Sequence, residues 1–141
     1  LKYKTKKGRT VYGGGGIEPD VELPYYVYKK SDYYSTLLQK GLIYKYCFDY
    51  VDKHRGSFKQ YKDGQDFINR YSIGEDVLQN MLNFASEQKI DKRPLSPAEN
   101  KEIKQLMKAY MAQNLYGDEY FYPSFLLIDE DVQKALPYFK K

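Results

Sequence analysis

Four consecutive glycines, Gly13, Gly14, Gly15 and Gly16, are the first residues of this chain whose types and spacing could do chemistry. Glycine-rich turns cradle phosphates when a lysine and a hydroxyl residue follow the last glycine, or when the third glycine opens a helix. Here Ile17, Glu18 and Pro19 follow. Neither pattern is met, and the Glu18 carboxylate would repel a phosphate. The single cysteine, Cys47, and the single histidine, His54, form the next candidate pair. Two helical turns separate them by about 10.5 Å along the axis, whereas a thiol–imidazole pair needs about 3 Å. Cys47 therefore reads as a small buried hydrophobe, and His54 as a helix C-terminal residue favoured by the dipole. One histidine excludes multi-histidine metal sites. The acidic run Asp129, Glu130, Asp131 lacks the further oxygen ligands and the glycine turn of a calcium loop, so it reads as N-terminal helix charge, as does the pair Glu75 and Asp76. No serine has a base arranged nearby in sequence. Neither a metal nor a cofactor is expected.

The elements that carry these residues fall into two parts. In the first 24 residues, Lys2 to Thr5 alternate in a strand-like way, Lys7 and Gly8 read as a turn, and Thr10, Val11 and Tyr12 as a short strand. Val21, Glu22 and Leu23 read as another, ending at Pro24. Such short strands bury too little to stand alone, so their pairing partners are expected outside this sequence. From Ser31 onward the pattern is helical. Ser31 or Asp32 can cap a helix start. Ile43, Tyr46, Cys47, Tyr50 and Val51 recur at helical spacing, with Gly41 a kink or split and Gly56 a stop. A short helix over 63–71 carries Phe67, Ile68 and Tyr71. Another follows Gly74, with Val77, Leu78, Met81, Leu82 and Ala85 on one face, and ends near Lys89. Ser96, Pro97 and Glu99 form a capping box with proline at the first helical position. Ile103, Leu106, Met107, Tyr110, Met111 and Leu115 then make one apolar stripe, closed by Gly117. Residues 120–128 are too apolar for a free loop and are expected to pack on the bundle, part helical and part extended. Asp129 caps a last helix. The fold class is mainly α: a bundle of about four to five helices over 25–141, preceded by a β and glycine-rich segment over 1–24.

Bulk composition narrows the partners. The chain has 141 residues with 42% hydrophobic and 30% charged content, enough for one folded domain. Its net charge of +4 comes without long single-sign runs, apart from Lys2, Lys4, Lys6, Lys7 and Arg9 at the N-terminus, so a solvated mixed surface is favoured over a nucleic-acid stripe. Tyrosine occurs 17 times, which suits half-wet surfaces and interfaces. No apolar stretch reaches the roughly 18–20 residues of a membrane span. Without a signal peptide or initiator methionine, Leu1 reads as a cut end.

One run is distinctive: Thr5-Lys6-Lys7-Gly8-Arg9-Thr10-Val11-Tyr12-Gly13-Gly14-Gly15-Gly16-Ile17-Glu18-Pro19-Asp20-Val21. It resembles the end of the protease domain in carboxy-terminal processing peptidases, the tail-specific proteases, in the form found in the Bacteroidetes group. The helical region is similar, less specifically, to the C-terminal extension of the same proteases. The resemblance implies a parent serine endopeptidase with a serine–lysine dyad and a PDZ-like module that holds substrate C-termini, in the periplasm or cell envelope. Both catalytic motifs lie upstream of the glycine segment in that family and no residue here matches either, so no catalytic residue is carried over. What transfers is the closing motif, Gly8, Arg9, Gly13, Gly14, Gly15, Gly16, Pro19 and Asp20, in an architectural role. The partners implied are the upstream protease core and PDZ-like module of the same polypeptide, the parent's polypeptide substrates and a possible second copy. The expected function is that of a structural, docking or dimerisation domain, inactive alone. The alternative is a free-standing tyrosine-rich module that binds protein or peptide.

Overall fold

The computed structural model describes residues 2–14, 21–23 and 30–139. The motif residues Gly15, Gly16, Pro19 and Asp20 lie outside the described residues. The fold is mainly α, as expected, but with seven α-helical segments among the described residues. Two features raise the number: Gly41 divides one expected helix, and residues 120–128 coil throughout.

Ser31 caps α1 (Asp32–Gln39), its Oγ accepting the Tyr34 N–H at 3.2 Å. Gly41 then adopts φ 63°, a left-handed conformation that glycine takes without a Cβ penalty, and α2 (Leu42–His54) sets off in a new direction. α2 ends at His54 with Arg55 as its cap, beside the expected stop at Gly56. Residues Arg55–Gln60 tighten into a 3-10 turn that buries Phe58. Asp63 caps α3 (Gly64–Arg70) through the Asp66 N–H. After Gly74, α4 (Glu75–Glu87) carries its acids in the first turn, where the helix dipole favours them. The capping box at Ser96 and Glu99 is formed in full and starts α5 (Pro97–Tyr116), with Pro97 where no N–H is needed.

Beyond Gly117, a 3-10 turn (Asp118–Tyr120), α6 (Phe121–Phe125) and a second 3-10 turn (Leu126–Ile128) follow without an extended stretch. The expected extended part of 120–128 is therefore absent. Phe121 and Phe125 stack one turn apart, with centroids 5.8 Å from each other, an arrangement only a helix provides. Asp129 caps α7 (Glu130–Ala135), and a 3-10 turn (Leu136–Phe139) ends the description.

The core gathers around α5, which packs against α2, α3 and α6. Its buried set is wider than the single stripe expected: Lys108, Ala109 and Ala112 go inside with Ile103, Met107 and Met111. The reason is the partner on the far side, since α6 covers a face that would otherwise meet water. Ile43, Cys47 and Val51 of α2, Phe67 and Ile68 of α3, and Leu78 and Met81 of α4 complete the core. Each large apolar side chain buried here contributes about 1.5–3 kcal/mol. Several tyrosines serve this core from its edge: Tyr61 and Tyr71 meet the Phe67 ring at 5.3 and 4.7 Å.

The N-terminal segment differs from expectation. β1 (Lys2–Lys4) and β2 (Thr10–Tyr12) pair with each other, antiparallel, in the register Lys2↔Tyr12, Tyr3↔Val11, Lys4↔Thr10. Partners outside the chain are not required for this pairing, because the 5–9 connection closes locally. The Thr5 and Gly8 N–H groups donate to the Arg9 and Thr5 carbonyls, and Gly8 holds φ 81°. Every residue of both strands is nonetheless exposed. Val21, Glu22 and Leu23 form no strand.

Candidate functional site

The closing motif places Gly8, Arg9, Gly13 and Gly14 on the exposed hairpin. Gly13 is required by a close approach: a Cβ there would come within 2.6 Å of the Tyr3 ring. The Arg9 N–H donates to Thr5 Oγ1 at 3.1 Å, and the Lys2 ammonium stands 5.8 Å from the Tyr12 ring centroid. These contacts shape a basic ribbon and assemble no reacting groups.

Cys47 is fully buried, and burial pushes its thiol far above the usual range, so it carries no nucleophilic thiolate. His54 is the last residue of α2. Its Nδ1–H donates to the Tyr50 carbonyl at 2.8 Å, which fixes the tautomer, and its ring stacks on Tyr50 at 4.2 Å.

Lysine and serine do occur buried, in a place the sequence did not single out. Lys108 donates to the Ile68 carbonyl at 2.6 Å. That carbonyl belongs to the last turn of α3, where intrahelical donors run out, so the lysine caps α3 from the middle of α5. With no carboxylate partner, burial lowers the Lys108 pKa. Ser124 is fully buried, its carbonyl accepts from Gln105 Nε2, and its Oγ has no partner among the described residues. Lys108 is spent on Ile68 and does not reach that hydroxyl, so the two form no dyad.

A second polar cluster joins two helix starts. Glu99 is only 8% exposed. Its carboxylate accepts from the Arg93 guanidinium, the Ser31 hydroxyl and the Ser96 N–H. Arg93 first, then Ser31 and Ser96, hold the carboxyl down to about 2. The same guanidinium lies 5.0 Å from the Tyr33 ring centroid. Every group is used in tying α1 to α5.

A cleft of about 420 Å³ lies between α2 and α4. Tyr46, Tyr50 and His54 rise along α2 at four-residue steps, and Asp76, Asn80 and Phe84 along α4 at the same steps. This spacing lines up one face of each helix. Tyr46 and Tyr50 stack at 5.9 Å, and Tyr46 meets Phe84 at 5.9 Å. Burial, followed by the neighbouring Tyr50, Cys47 and Asp76, pushes Tyr46 up to about 12. Burial and Asp76 raise Tyr50. Both hydroxyls are therefore donors at neutral pH. Sequence reasoning considered His54 and Asp76 separately and missed their common cleft. The two four-residue series were the available signal.

Among the described residues, no three His, Cys, Asp or Glu side chains are grouped to hold a metal ion, and no helix is long and apolar enough to cross a membrane. No curated protein and no solved structure matches the chain. A family of unknown function, DUF8443, matches residues 33–117, from the first turn of α1 to the glycine that closes α5, and the chain belongs to that family.

Proposed function

We propose that this chain is the C-terminal helical domain of a carboxy-terminal processing serine endopeptidase of the periplasm or cell envelope. Its role is structural, docking or dimerising, and it is inactive alone. One observation carries the reading. The described first part of the motif segment forms a hairpin that leaves Tyr3, Val11 and Tyr12 exposed and adds nothing to the helical core. A ribbon of this kind is half of something larger, since two short strands without a covered face are marginal in water. The upstream protease sheet is the partner this reading supplies.

The discriminating experiment reads the gene upstream of Leu1 and compares the 141-residue chain with the longer product. A serine–lysine protease domain upstream is expected, with turnover of an unfolded protein substrate by the longer product alone. Turnover by the 141-residue chain, or an upstream frame without such a domain, sinks the reading.

The free-standing interaction module is favoured by different residues. Tyr122, Tyr138 and Phe139 are widely exposed, Phe139 at 82%, more aromatic surface than a solitary domain needs. Limited proteolysis separates the two readings. Protection of residues 13–16 in a monomer supports the module, and cleavage there supports a segment built for an absent core.

A further inference from the structure

The α2–α4 cleft plays no part in the reading above and stands independently of it. Its volume of about 420 Å³ suits a small ligand or a single side chain. Its apolar surface is largely aromatic, from Tyr46, Tyr50 and Phe84. The ring faces of Tyr and Phe are electron-rich and attract cations. The Phe84 ring already draws one cation of the chain, Lys45, at 5.9 Å. Two carboxylates, Asp49 and Asp76, line the same space with one ammonium, Lys53, and the Lys45 ammonium stands at its Phe84 rim. Among the described residues neither acid has an ion-pair partner. The charges at the cleft thus balance, and the two acids are held by no ion pair on a chain whose net charge is +4. His54 spends one ring nitrogen on its own helix. Two acids without ion pairs beside aromatic rings offer an incoming cation counter-charges and ring faces together.

We propose that the α2–α4 cleft binds an organic cation, an alkylammonium or guanidinium head, over Tyr46, Tyr50 and Phe84 with Asp49 and Asp76 as its counter-charges. Such a head can come from a free amine or from a lysine or arginine side chain of a polypeptide. Asn80 and the protonated tyrosine hydroxyls supply polar contacts that orient it.

The test is a titration of the 141-residue chain, followed by amide chemical shifts, with two probes: agmatine, and the peptide acetyl-Gly-Arg-Gly-amide. Shifts confined to the α2 and α4 residues of the cleft are expected, weakening with added salt. Asp49→Asn and Asp76→Asn should each weaken binding about tenfold, and Lys53→Gln should strengthen it about threefold. Asp49 is exposed in mid-helix, so its variant carries the test if Asp76→Asn disturbs the start of α4. Tighter binding of the peptide identifies a polypeptide side chain as the natural source, and equal binding identifies a free amine. The proposal is overturned if neither probe moves the cleft at millimolar concentration. It is equally overturned if the aspartate variants bind as well as the parent, or if the uncharged peptide acetyl-Gly-citrulline-Gly-amide binds as well as its arginine counterpart.

Discussion

The Tyr120 ring lies in the space that a Cβ on Gly64 would occupy, with ring carbons 2.5 Å from that position. A residue from the turn after α5 thus seals the first turn of α3, and the seal depends on a missing side chain. Gly64→Ala gains a better helix former but forces the whole ring outward, including its attachment carbon. The variant should be less stable by about 1–3 kcal/mol, read as a lower denaturant midpoint with an unchanged slope.

Glu99 should make stability depend on acid. Its carboxyl is held down to about 2 from an ordinary 4.5. A depressed carboxylate stabilises the fold above its unfolded pKa, and that contribution is lost as pH falls through the folded value. The parent should therefore lose stability between about pH 4.5 and pH 2 more steeply than Glu99→Gln, in melts across that range. At neutral pH, Glu99→Ala should cost about 1–3 kcal/mol, because three donors lose their acceptor.

Lys108 gives a pH dependence of the same sign in a more alkaline range. Burial lowers its pKa, so between the folded and unfolded values the unfolded chain binds more protons, and stability rises with pH. That rise should be present in the parent below the ordinary lysine value of 10.5 and absent in Lys108→Met. The methionine also fills the space without a charge to desolvate, so its neutral-pH penalty should stay within about 1–2 kcal/mol despite the lost acceptor at Ile68.

Cys47 should not react with a thiol reagent in the native protein and should react completely in denaturant. Its burial at 0% exposure and its raised pKa both oppose attack. Fast native labelling contradicts the placement of α2.

Removing residues 1–14 should leave the melting temperature unchanged, since none of the strand side chains is buried. A clear drop would make the hairpin part of the helical unit.

The helices were legible wherever a local signal specified them. Ser96 with Glu99, Asp63, Gly41 and Asp129 act within a few residues of themselves, so sequence reports them. The hairpin pairing was misjudged because the small area the strands bury was weighed above the Lys7–Gly8 turn, whose hydrogen bonds close the two strands on each other. Coiling of 120–128 was half missed because it depends on contact with α5, on which the short α6 packs. The positions of Lys108, Ser124 and the α2–α4 cleft depend on which helix lies beside which, and no local pattern encodes that.

The hairpin has a direction in which a sheet can extend. Along β1, the strand carries Lys2 and Lys4, and cations set side by side on an open edge repel a second strand of like charge. Along β2, Thr10, Val11 and Tyr12 carry no charge. One margin is thus guarded and the other open, so a further strand has a single side on which to add. Any neighbour that lengthens this sheet, whether from the same polypeptide or another copy, must approach β2.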